Sequence, residues 1–365
     1  MTDAPMTAPG PSTATTGEIL SRHLTAQAGA FLRALPQAVG EVGPRPGALG
    51  VSSAGTSDLL GAVRRIGGAL HTFAASFDPA WAQESRTELR WLLNLLAREP
   101  GYLRCSTRLL GALDSLGGVE PDGPGMLAGH AGAPKARALL DRQLTLARTR
   151  AHSAALQELR SARLHALADR MTLLVGETPL LPAGGELVPQ AAAALEALSA
   201  GTRLLPLDRA ATPYGGDGLR RLGPVPAPAS AEGPGAPAPR RAGSGAPAVL
   251  DADAALAADD APWHRVRILL KRARYALEVC GRPAPGLDTL DRVLGRHQEA
   301  SDAAVTAATA ARTPRITPAT AYVLGVVHAD QRLEVEAARY AFGHQWPDVS
   351  PGLAGWGVPP APRMA

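Results

Sequence analysis

From His264 to Glu278 the chain reads His-Arg-Val-Arg-Ile-Leu-Leu-Lys-Arg-Ala-Arg-Tyr-Ala-Leu-Glu, and a helix sorts it cleanly. At about 100° per residue, Val266, Leu269, Leu270, Ala273, Ala276 and Leu277 share one apolar face. His264, Arg267, Lys271, Arg274 and Glu278 take the opposite face, with Tyr275 at its edge. Arg265 and Arg272 form a second short row beside it. Five cations and one acid in fifteen residues repel one another, so the face makes physical sense with an anion in front of it.

The rest of the chain obeys the same period. Helical patterns are predicted from Gly17 to about Val39, from Ser57 to Phe77, from Asp78 to about Leu96 and from Tyr102 to Leu116. Lys135 to Val175 reads as two helices with a break near Ser153 to Leu156. Leu187 to Leu205, a helix beginning at Trp263, Leu287 to about Arg312 and Ala319 to Phe342 follow. No segment alternates with period two, so the fold class is all-α, in two sets of helices over 17–176 and 186–346. Aromatic residues are only 4%, which leaves Leu, Ala and Val to build the core and suits packed helices. Residues 1–16 and 348–365 read as tails, and 208–262, rich in Pro, Ala and Gly at its centre, as a flexible insertion.

Charge and cysteine usage narrow the function classes. The net charge of +4 names no partner by itself, so local clustering carries the argument. Arginine outnumbers lysine 35 to 2, a bias expected of a GC-rich genome, which weakens any argument from arginine abundance alone. Cys105 and Cys280 are isolated and form no metal-spaced pair. With neither a signal-like start nor an apolar run of about 20 residues, the expected location is the cytoplasm, with no membrane contact. No Gly-x-x-x-x-Gly-Lys-Ser/Thr loop, Ser/His/Asp set or metal-spaced His pattern stands out, so neither an enzyme nor a cofactor nor a metal is expected.

The segment Ser57 to His71 matches His264 to Glu278 at a constant offset of 207 residues. Arg64-Arg65 pairs with Lys271-Arg272, and Leu59, Ile66 and Leu70 pair with Val266, Ala273 and Leu277. The equivalents of His264, Arg267 and Arg274 are Ser57, Leu60 and Gly67, so the first copy has lost most of its polar face.

The spacing His-x-x-Arg-x-x-x-Lys-Arg-x-Arg-Tyr-x-x-Glu over His264 to Glu278 resembles the second-half signature of the conserved histidine α-helical domain, the CHAD family. Ala62 to Ile66, Leu70 to Phe73, Asp78 to Trp81 and Glu88 to Leu92 resemble its first block. Leu294 to Glu299, Tyr322 to His328 and Trp346 resemble its later elements. The resemblance covers about 17–347 without 208–262. It implies two pseudo-symmetric bundles of four helices each, with a basic groove between them. It also implies non-enzymatic binding of inorganic polyphosphate and association with polyphosphate granules. The departures are Ser57, Leu60 and Gly67, Pro100-Gly101 in place of an Arg-Asp pair, and Ala191 to Leu198 in place of a basic helix with a Trp.

The expected polyphosphate ligands are Arg64, Arg65, His264, Arg267, Lys271, Arg272, Arg274 and Tyr275, with Arg90, His297 and His328 as secondary candidates. Arginine forks suit phosphate oxygens, while Lys271 offers a compact cation. Glu278 is expected to orient a neighbouring arginine. The alternative is a degenerate scaffold that binds a protein partner or another polyanion such as RNA. Nucleic acid is disfavoured because aromatic residues do not interleave with the cations as a stacking platform requires.

Overall fold

In the computed structural model, residues 15–41, 54–120, 123–181, 185–210, 246–282, 284–354 and 356 are described. The described residues are helical almost throughout, as the periodicity requires. The elements are α1 (Thr16–Glu41), α2 (Ala54–Thr72), a 3-10 turn (Ala74–Ser76), α3 (Pro79–Gly117), α4 (Ala133–Glu158), α5 (Ala162–Gly176), α6 (Leu187–Arg203), the single turn α7 (Leu207–Ala210), α8 (Ala246–Val279), α9 (Pro285–Ala311) and α10 (Pro318–Ala354). A two-residue antiparallel ladder pairs Val119 with Pro124 and Glu120 with Gly123.

Local chemistry fixes several ends. Asp78 caps α3, its carboxylate accepting from the Trp81 amide at 2.8 Å, and Pro79 supplies a preset first turn. Ser161 caps α5 through the Leu164 amide, so α4 ends at Glu158, a few residues beyond the break predicted near Ser153 to Leu156. Gly281, at φ +65°, turns the chain out of α8.

Three apolar clusters hold the helices together. The first joins α1, α2, the front of α3 and α5 around Leu24, Phe31, Ile66, Leu70 and Leu92. The second joins the end of α6, α8, the front of α9 and the end of α10 around Trp263, Leu270, Leu290 and Phe342. The third packs the far ends of α3 and α4 against α9 and α10, with Leu109 and Leu140 meeting Ala303, Ala307 and Val327. Each buried Leu contributes about 1.5–3 kcal/mol. The two sets of helices expected from the sequence therefore share a core and are not walled off from each other.

Two expectations are corrected. The predicted helices Asp78–Leu96 and Tyr102–Leu116 are one 39-residue helix running through Pro100. A proline inside a helix costs about 3 kcal/mol or more. Burial offsets it here, because Leu92, Leu95 and Leu96 are fixed in the first cluster and Leu109 and Leu113 in the third. The basic helix also starts at Ala246 rather than Trp263, passing through Pro262. Residues 246–262 thus belong to a helix, and Asp260 is buried. Residues 211–245 of the expected insertion, residues 1–14, and most of the C-terminal tail lie outside the described residues, though α10 continues into that tail as far as Ala354.

Candidate anion-binding groove

The site is built where α2 crosses α8. A Cβ at Gly68 would lie 2.8 Å from the Tyr275 ring, so glycine at 68 lets the helices approach this closely. Tyr275 is buried in that seam, with the Arg274 guanidinium 5.0 Å from its ring centre. On one side of the crossing, Arg65 Nε donates to Glu278 Oε1 at 2.7 Å. Arg65 faces α1 there, beside Arg33 and Asp58, away from the other expected ligands.

The row His264, Arg267, Lys271 and Arg274 runs along α9, and α9 supplies acids that the linear segment lacks. Lys271 Nζ lies 2.7 Å from Asp291, whose side chain is largely buried. Arg274 reaches Asp288 and Asp291, each at 3.1 Å. Burial lowers the Lys271 pKa, with Asp291 opposing it. For Arg274 burial pulls the same way, but Tyr275, Asp291 and Asp288 outweigh it and raise the pKa. Arg267 has no carboxylate partner among the described residues, and its Nε is buried without a hydrogen bond.

The second row opens a different surface. A groove between α2, α3 and α8 is lined by Arg64, His71, Arg86, Arg90, Lys271 and Arg272 over an apolar floor that includes Val63, Leu89 and Ile268. Among the described residues no carboxylate lines it. Arg64, Arg90 and Arg272 make no ion pair among the described residues, whereas Arg86 donates to Gln83 Oε1 at 2.7 Å. Burial lowers the Arg64 pKa. Burial, then Arg90 and Arg86, lower that of Arg272. His71 is pushed down by burial and then by Arg272, Arg86 and Arg90. Cations are crowded together here, and among the described residues only Lys271 has a carboxylate, Asp291, bonded to it from behind, so an anion would relieve that strain.

The three histidines expected as ligands lie away from this groove. His297 is fully buried, stacked on Trp263, and its Nε2 accepts from Arg339 Nε at 3.2 Å. Its pKa is lowered to about 3, first by burial and then by Arg339. It is a neutral acceptor within the core. His328 Nδ1 lies 3.0 Å from the Ala304 carbonyl and ties α10 to α9. His264 packs edge-on to His297, its Nε2 buried without a partner and its pKa lowered chiefly by burial. Beneath them Asp260 anchors α8. It accepts two bonds from Arg332, at 2.6 and 3.1 Å, one from Arg339 at 2.5 Å and one from Ser301 at 2.6 Å. Burial raises the Asp260 pKa, but Arg332 and Ser301 more than offset this and hold it low.

The structure thus gathers Arg64, Arg90, Lys271, Arg272 and the Tyr275 edge in one groove, and leaves Arg65, His264, Arg267, Arg274, His297 and His328 out of its lining. Sequence reasoning missed His71 and Arg86. Arg86 is one helical turn before Arg90, a spacing that would have flagged it. Arg104 was missed too; it lies close enough to Arg64 to lower its pKa, and pairs with Glu299 at 3.1 Å.

The profile of the CHAD domain matches residues 48–311. Among solved structures, PptA from Streptomyces chartreusis is 40% identical, with a TM-score of 0.70, over 92% of this chain and 100% of that one. The crystal structure of the CHAD domain from the plant Ricinus communis is 21% identical, with a TM-score of 0.49, over 93% of this chain and 96% of that one. No curated protein matches the chain. No helix among the described residues is long and apolar enough to cross a membrane.

Proposed function

The chain belongs to the CHAD domain family, and from that premise we propose that it binds inorganic polyphosphate, without turning it over, in the groove between α2, α3 and α8. One observation carries the reading: Arg64, Arg90 and Arg272 line a single groove with no carboxylate among the described residues of its walls. Polyphosphate carries about one negative charge per unit and has no base edges to read, so it needs a row of cations and little else. Three guanidinium forks can each donate paired bonds to phosphate oxygens. Arg86 and Lys271 extend the positive potential at either end. Among the described residues the groove lining offers no thiol or carboxylate, and its hydroxyl is that of Tyr275, buried in the α2–α8 seam, which favours binding over turnover. A protein with this groove would be drawn to polyphosphate granules.

Titration of the full chain with long-chain polyphosphate at several salt concentrations tests the reading. Affinity should fall steeply as salt rises, with a log–log slope that reports the number of contacts, as for other polyanions. Absence of binding at low salt would favour the scaffold alternative.

A further inference from the structure

At position 71 the two copies of the repeat differ across the seam: one carries an imidazole where the other carries an acid. The 207-residue offset sets His71 against Glu278 and Arg65 against Arg272. Glu278 neutralises Arg65 at 2.7 Å. At the corresponding place on the other side, Arg272 lines the groove with His71, and no carboxylate is among the described residues of the groove's walls. We propose that His71 sets the groove's selectivity for polyanions: standing where an acid would neutralise Arg272, it leaves that guanidinium to the ligand, and it takes up a proton from solvent when an anion enters. The inference rests on the binding reading above and adds the residue that governs it.

The charged groups nearest His71 are Arg86 and Arg90 from α3 and Arg272 from α8; Arg64 from its own helix and Lys271 from α8 line the same groove. All are cations. Burial, then Arg272, Arg86 and Arg90, keep the imidazole below its ordinary 6.5, hence neutral at pH 7 in the empty groove. A bound phosphate chain reverses the sign of the local potential. Each unit by which it raises the imidazole pKa is worth up to about tenfold in affinity on acidification. The terminal groups of polyphosphate lose charge over the same range and oppose the effect, so a rise in affinity at low pH points to the protein.

The test is a titration of the full chain with sodium polyphosphate at fixed ionic strength, at pH 8 and pH 6, alongside thermal melts. The wild type should bind more tightly at pH 6. His71→Gln should shrink the ratio of the two affinities to below about half its wild-type value, since the titrating group is gone. His71→Glu should weaken binding at pH 8 by about tenfold or more, and should raise the melting temperature, because Arg272 then gains a carboxylate. A His71→Gln protein with the full wild-type ratio, or a His71→Glu protein that binds like wild type, overturns the proposal. An unchanged His71→Glu melting temperature also counts against it, because that readout needs no ligand. A wild type that binds polyphosphate at neither pH defeats the binding reading itself.

Discussion

Helix α8 carries two rows of cations, and the two meet opposite surroundings. Lys271 and Arg274 face α9, where Asp288 and Asp291 already hold them. Arg272 faces α2 and α3, where the charged neighbours are Arg86, Arg90 and His71. In the sequence the first row supplies most of the expected ligands and the second only Arg272. In space Lys271 and Arg274 of the first are held by acids of α9, with Lys271 also bordering the groove, and Arg272 of the second is left to whatever enters it. Counting charge along a segment therefore says little until the helix across from it is known.

The largest expected effect lies in the anchor that sets where both rows point. Asp260→Ala would leave Arg332 and Arg339 without their shared buried carboxylate, and breaking a buried pair of this kind costs about 3–5 kcal/mol. Denaturant unfolding should show that loss. Both rows should lose their alignment together, so polyphosphate affinity should fall even though Asp260 lies outside the groove.

Acid is the next way to break the comparison. The unfolded His297 imidazole protonates near 6.5, but the folded one does so only at about 3. Below pH 6.5 the unfolded state binds the extra proton, so stability falls as pH drops towards 3. Between pH 6.5 and 5 this single group is worth about 2 kcal/mol. The low pKa of Asp260 adds to the loss at more acidic pH. Urea midpoints measured at pH 7 and pH 5 check the sign. A protein equally stable at both would contradict the buried, neutral His297.

Arg65→Gln gives the smallest change. Its pair with Glu278 is more than a third exposed on both sides, so screening leaves about 0–1 kcal/mol of stability at stake. Because Arg65 faces α1, its removal should lower polyphosphate affinity far less than removal of Arg272. Equal losses from the two would erase the distinction between the two sides of the seam.

Much of this was legible in residue spacing. Leu59, Ile66 and Leu70 against Val266, Ala273 and Leu277 mark the two crossing helices, and Asp78-Pro79 marks a helix start that the structure keeps. Periodicity could not show that Pro100 stays inside α3, since that depends on two separate cores gripping the helix on either side. Nor could it place Asp291 against Lys271 from 20 residues away, or bring Arg86 of α3 up to His71. The alanine-rich approach to Trp263 hid Asp260 as well, because an aspartate in such a stretch looks solvated until Arg332 and Arg339 arrive from α10.

The most direct measurement compares two double variants in one polyphosphate titration at low salt, with folding verified by thermal melts. Arg90→Met with Arg272→Met removes two groove cations that have no carboxylate partner. Lys271→Met with Arg274→Met removes two that Asp288 and Asp291 already hold. At about 1.5–3 kcal/mol for each charged hydrogen bond lost, the first pair should weaken binding by at least tenfold more than the second. The second pair should instead show the larger loss of stability, because Asp291 is left buried without its partners. Equal binding losses, or a greater loss from Lys271 and Arg274, would contradict the placement of the ligand in the α2–α3–α8 groove.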